Sequence, residues 1–88
     1  MTNATLYVNE SSRICELIFS KTMNVTTSYS AVETYSIIAN NYPVLNNIYT
    51  ATFSPSMSVM LKSNGLLQVK GESNINNSAV QGSIFWHY

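Results

Sequence analysis

Hydrophobic and polar residues alternate along most of the chain, with a period of two and none of the three-four spacing that marks an amphipathic helix over more than two turns. The clearest case runs from Ser58 to Lys70. Two alternating stretches, Ser58-Val59-Met60-Leu61-Lys62 and Leu66-Leu67-Gln68-Val69-Lys70, flank Ser63-Asn64-Gly65. A two-residue Asn64-Gly65 loop would set Leu61 opposite Gln68 and Val59 opposite Lys70, mixing apolar and polar groups on one face. A three-residue loop with Gly65 in the left-handed region instead pairs Leu61 with Leu67, Val59 with Val69 and Lys62 with Leu66. One face is then consistently apolar, so the sequence predicts the three-residue hairpin.

The same period predicts the other strands. Thr5 to Val8 and Arg13 to Ser20 form a pair around the polar corner Asn9-Glu10-Ser11-Ser12. In the second strand Cys15, Leu17 and Phe19 share one face and Ile14 and Ile18 the other, which predicts burial on both sides. Lys21 to Tyr29 reads as extended but unpatterned, and Glu33 to Ala39 as a strand. Asn40-Asn41-Tyr42-Pro43 breaks the chain, because proline fixes its own φ and excludes the helical region for the residue before it. Asn47 to Ser54 alternates Ile48, Thr50, Thr52 against Tyr49, Ala51, Phe53 and ends at Pro55. Gly71 to Ser78 reads as an Asn-rich loop, and Ala79 to Tyr88 as the closing strand. The expectation is an all-β fold of six to eight antiparallel strands, a small sandwich or jelly-roll-like domain spanning residues 1–88.

Composition narrows the function. Charged residues make up 9% of the 88 residues, with zero net charge and no Asp. The four cations Arg13, Lys21, Lys62 and Lys70 are scattered, which argues against nucleic acid as a partner. Hydrophobic residues at 45% argue against disorder. No apolar run approaches the roughly 18 residues that cross a bilayer, and the first residues lack the basic-then-apolar order of a signal peptide. The single cysteine permits no internal disulfide, and a core of this size supplies only about 3–5 kcal/mol, so self-association is expected.

Cys15 and His87 are the only thiol and imidazole, but Cys15 sits mid-strand on an apolar face, where a buried structural role is the expectation. The four glutamates Glu10, Glu16, Glu33 and Glu72 fall in four segments, so neither a metal site, a paired-carboxylate hydrolase nor any cofactor is expected. Three glycines cannot build the usual phosphate loop. Asn3, Asn9, Asn24 and Asn76 match the glycosylation pattern, at a frequency expected of so Asn-rich a chain. The closing strand puts Val80, Ile84, Trp86 and Tyr88 on one face and Gln81, Ser83, Phe85 and His87 on the other. The second set joins a ring to hydrogen-bonding groups, the composition of a shallow saccharide-binding surface. The first set reads as core or subunit contact. Phe85 or Trp86 as a stacking ring, His87 and Tyr88 as hydrogen-bonding tips, and Tyr42, expected to be exposed at the rigid bend beside Pro43, are the candidate ligand-binding residues; the competing account buries Trp86 and Tyr88 between subunits and leaves Phe85 and His87 as ordinary edge-strand cover.

The order of features, with Arg13-Ile14-Cys15-Glu16-Leu17-Ile18-Phe19-Ser20, a Thr-rich stretch, Tyr35-Ser36-Ile37-Ile38, the Asn40-Asn41-Tyr42-Pro43 corner, the strand Tyr49-Thr50-Ala51-Thr52-Phe53, the Asn64-Gly65 hairpin and a terminal Val80-Gln81-Gly82-Ser83-Ile84-Phe85-Trp86-His87-Tyr88, resembles the small C-terminal β-domains of phage tail-fibre and baseplate proteins, including upper-baseplate and receptor-binding proteins. Those domains carry a Gly-Tyr-Arg-Pro-like corner, whereas this corner has neither the Gly nor the Arg. The resemblance implies a non-catalytic trimer in the virion, made in the host cytoplasm, that attaches to other virion proteins or binds host cell-wall saccharide. A small phage-encoded inhibitor of a host enzyme is the alternative, although four Glu without Asp cannot mimic nucleic acid.

Overall fold

The computed structural model describes residues 3–52 and 57–88. Seven strands and one short helix follow in the order β1 (Asn3–Asn9), β2 (Ile14–Val25), β3 (Ser30–Thr34), α1 (Ser36–Asn41), β4 (Ile48–Thr52), β5 (Met57–Leu61), β6 (Leu66–Gly71) and β7 (Ile75–His87). They form two antiparallel sheets with strand orders β1-β2-β7 and β3-β6-β5-β4. The first sheet joins the chain's beginning to its end, and β2 and β7, with 12 and 13 residues, set the 40 Å long axis.

The core lies between the sheets. Cys15, Leu17 and Phe19 of β2 and Val80, Ile84 and Trp86 of β7 meet Val59, Leu61, Leu67 and Val69 of the second sheet, all buried. Alternation dictates this, because each of these runs places every second side chain on the same face. Ile14 is half-buried and Ile18 exposed, so β2 is buried on one face only and the two-sided reading is corrected.

The hairpin between β5 and β6 has the expected register, with Leu61 opposite Leu67 and Val59 opposite Val69. Gly65 takes φ +84°, its N–H donates to the Lys62 carbonyl at 2.9 Å, and Lys62 N–H donates to the Leu66 carbonyl at 3.0 Å. The Asn64 side chain accepts the Leu66 N–H at 3.1 Å, closing the turn from inside.

Residues 33–39 do not make one strand. β3 runs out of partner where β6 begins, and the last bond across the two is Tyr35 N–H to the Gly65 carbonyl, 2.9 Å. Beyond it the backbone satisfies its polar groups locally, as a helix must. Tyr35 C=O accepts the N–H groups of Ile38 and Ala39, Ile38 plugs the core, and α1 ends at the Tyr42-Pro43 corner, where Tyr42 N–H donates to the Ile38 carbonyl. The Asn-rich segment expected as a loop is part of β7 from Ile75 onward. It pairs with the end of β2 across a bulge at which Asn77 takes φ +51° and donates its N–H to the Asn24 side chain. Backbone pairing needs no apolar pattern, and so this extension left no signal in the sequence. The strand expected over 47–54 is observed as β4; its expected end at Phe53, Ser54 and Pro55 lies outside the described residues.

Tyr35 also carries a pH response. Its hydroxyl is buried with no hydrogen-bond partner among the described residues, and burial, reinforced by the charge of Glu33, pushes the phenol up to about 12. An unfolded tyrosine titrates near ~10, so the folded state holds this proton more tightly. The resulting stability is complete below about pH 10 and is lost as the pH rises toward 12. Urea midpoints measured across that interval should fall less steeply for Tyr35→Phe than for the native chain. Equal slopes would remove Tyr35 as the cause.

Candidate functional site: the outer face of the β1-β2-β7 sheet

The five residues singled out on the sequence divide into two groups. Trp86 is 6% exposed and its indole N–H donates to the Tyr42 carbonyl at 2.9 Å. The Tyr42 ring meets the Tyr88 ring edge-on, with centroids 5.0 Å apart. The Arg13 guanidinium lies over the Tyr88 ring, 4.6 Å from its centroid, and its Nε donates to the Tyr88 carbonyl at 2.8 Å. Tyr88 N–H returns a bond to the Arg13 carbonyl at 3.0 Å. Arg13, the last residue of the β1-β2 turn, has φ +55°. Trp86, Tyr42 and Tyr88 thus form a clamp that ties the corner after α1 and the last residue to the start of β2. Trp86 is buried and offers no open ring face, while Tyr42 and Tyr88 stay half-buried, each held by its neighbours.

Phe85 and His87 point the other way, as alternation predicts. Phe85 is 60% exposed. Strand register builds the surface around it: Tyr7 lies opposite Glu16 and Glu16 opposite Phe85, so one row across the sheet reads Tyr7-Glu16-Phe85. The next row reads Thr5-Ile18-Ser83, and the row on the other side Asn9-Ile14-His87. With strands about 4.8 Å apart, Tyr7 and Phe85 stand roughly 10 Å apart on either side of the carboxylate. Tyr7 is 56% and Ile18 42% exposed. Two shallow depressions flank the central row. One, of about 480 Å³, includes Thr5, Glu16, Ile18, Ser20, Gln81 and Ser83; the other, of about 220 Å³, includes Tyr7, Asn9, Ile14, Glu16 and Phe85. Glu16 borders both.

Tyr7, Glu16 and Ile18 were not singled out on the sequence. The signal that could have found them is the β1-β2 corner, whose register puts Tyr7 opposite Glu16.

The other chemistry considered on the sequence does not assemble. Cys15 pairs with Trp86 and Ile14 with His87, so Cys15 faces the core while His87 faces outward on the adjacent row. The Cys15 thiol is free and buried, and burial raises its pKa, which disfavours the nucleophilic thiolate. Among the described residues no cluster of three or more His, Cys, Asp or Glu could hold a metal ion, and no helix is long and apolar enough to cross a membrane. Compared with protein-family models, curated proteins and solved structures, the chain matches none.

Proposed function

We propose that this chain is a non-catalytic recognition domain of a phage particle, of the tail-fibre or baseplate kind, which rests on neutral host cell-wall saccharide through the outer face of the β1-β2-β7 sheet. The observation that carries the reading is the Tyr7-Glu16-Phe85 row, with two exposed rings on either side of a carboxylate. A ring stacks on the apolar face of a sugar, and a carboxylate accepts hydrogen bonds from two neighbouring hydroxyls at once. Thr5, Ser20, Gln81 and Ser83 supply further hydroxyl and amide groups beside the row. Glu16 repels anionic saccharides, which leaves neutral ones as the class that fits. The phage assignment is supported by the order of its strands and turns, and the sparsely charged, Ser/Thr/Asn-rich composition with zero net charge suits a particle component.

A shallow open face of this kind binds weakly, at roughly millimolar affinity per site, so useful adhesion depends on many copies acting together. Titration with neutral cell-wall polysaccharide, followed by ring resonances, should shift Tyr7 and Phe85 first. Phe85→Ala and Glu16→Gln should each weaken binding, and Tyr42→Ala should leave it unchanged. Binding that survives Phe85→Ala combined with Tyr7→Ala would place the saccharide elsewhere. A lack of saccharide binding together with tight capture of one host enzyme would favour the inhibitor.

A further inference from the structure

The four sheet edges are not alike. On one side of the sandwich β7 and β4 pack against each other, so the edges of the two sheets meet there. On the other side stand β1 and β3. β3 has the features that prevent edge pairing: five residues only, a register shift between Ala31 and Glu33, an exposed charge at Glu33, and the Lys21 ammonium donating to the Val32 carbonyl at 2.9 Å. β1 has none of them. Its seven residues, Asn3-Ala4-Thr5-Leu6-Tyr7-Val8-Asn9, contain no charge and no proline, and their pairing with β2 is unbroken. Among the described residues nothing pairs with its outer edge, so every second backbone N–H and C=O points away from the sheet. Leu6 and Val8, on its inner face, stay half-exposed at the margin of the core.

We infer that β1 pairs antiparallel with β1 of a second copy of this chain, joining two three-stranded sheets into one of six strands. A second copy is the occupant this edge fits. An uncharged strand meets itself without repulsion, and a two-fold axis normal to the sheet lays the inner face of one copy beside that of the other, so the half-exposed leucine and valine of both complete a single apolar margin. Register follows from the faces. Only pairings whose residue numbers add to an even sum keep Ala4, Leu6 and Val8 of both copies together, and full overlap selects Leu6 opposite its own counterpart. Thr5 of each copy then lies opposite Tyr7 of the other. The inference replaces the trimer implied by the resemblance with a two-fold dimer; it is independent of what the outer face binds, although it would bring two such faces side by side.

Charge placement on the Thr5-Tyr7 pairs, which recur twice in the dimer, tests it. The native chain should show a concentration-dependent mass approaching twice 9.8 kDa in sedimentation or light scattering. T5K/Y7K sets lysine against lysine and should weaken the dimer at least about ten-fold, whereas T5E/Y7K sets glutamate against lysine and should restore it. Both variants place lysine beside Glu16 within the chain, so any structural effect of that change is common to them. Under a thiol oxidant L6C should cross-link two copies much faster than S63C at the exposed hairpin tip. A 9.8 kDa particle at every concentration, a trimer, equal masses for the two charge variants, or L6C cross-linking no faster than S63C would overturn the pairing.

Discussion

Gly65→Ala is expected to cost about 3 kcal/mol, a large share of the stability of a domain this small. Two effects combine. With φ +84° the residue sits in the left-handed region, where an L side chain is penalised by about 1–2 kcal/mol. A Cβ at this position would also stand 2.2 Å from the Tyr35 carbonyl oxygen and 3.0 Å from its carbon. Those are backbone atoms, so relief requires the hairpin and the start of α1 to separate, at about 1–3 kcal/mol. The same carbonyl accepts the N–H groups of Ile38 and Ala39, and Tyr35 N–H bonds to Gly65 C=O, so one methyl group strains the turn, the helix start and the last rung between β3 and β6. The melting temperature should fall by on the order of 15 °C, since 1 kcal/mol is worth about 4–8 °C at this size. Gly65→Asn separates the two effects. Asparagine tolerates the left-handed region but still carries a Cβ, so it should recover no more than about 1 kcal/mol. If Gly65→Asn were as stable as the native chain, the close approach to Tyr35 would not be what fixes glycine here.

The hairpin around Gly65 could be read from the sequence because turn chemistry and alternation both specify one register; either alone leaves the loop length open. The need for the close approach could not, since it depends on Tyr35, thirty residues earlier, turning into α1 beside the hairpin. Ser36-Ile37-Ile38-Ala39, with its paired β-branched isoleucines, passes for strand on propensity, and what decides against it is the end of β6, a tertiary fact. The outward aim of Phe85 and His87 followed from alternation in the closing strand. That Trp86 and Tyr88 face the other way followed equally, but not that Tyr42 closes over them, because the Tyr42-Pro43 corner gave only a bend and no address. The Tyr7-Glu16-Phe85 row was least legible. Its members lie on the first, second and last strands, and only the sheet order β1-β2-β7 places them side by side. Ile18 was misread for a related reason. A middle strand with apolar residues on both faces usually has layers on both sides, and here the outer side is open, which is why the surface is available to a partner at all.

Trp86→Ala should be the most damaging single change, at about 3–5 kcal/mol, the range for deleting a buried tryptophan side chain. Its effect should be unfolding of the chain rather than a change of association, because Trp86 is buried among residues of its own chain. The loss has two parts that Trp86→Phe can divide. Phenylalanine keeps most of the apolar contact opposite Cys15 but leaves the Tyr42 carbonyl without its 2.9 Å donor, which costs about 1–3 kcal/mol for an acceptor that stays buried. That bond anchors the corner following α1, and the corner in turn holds the Tyr88 ring edge-on at 5.0 Å beneath Arg13. Trp86→Phe should therefore raise amide exchange at Tyr42, whose N–H bonds to Ile38, and at Tyr88, whose N–H bonds to Arg13, while leaving the β5-β6 hairpin protected. Uniform loss of protection across both sheets would mean that the indole acts through core volume alone. Unchanged exchange at Tyr42 and Tyr88 would mean that the indole N–H does not hold the clamp together.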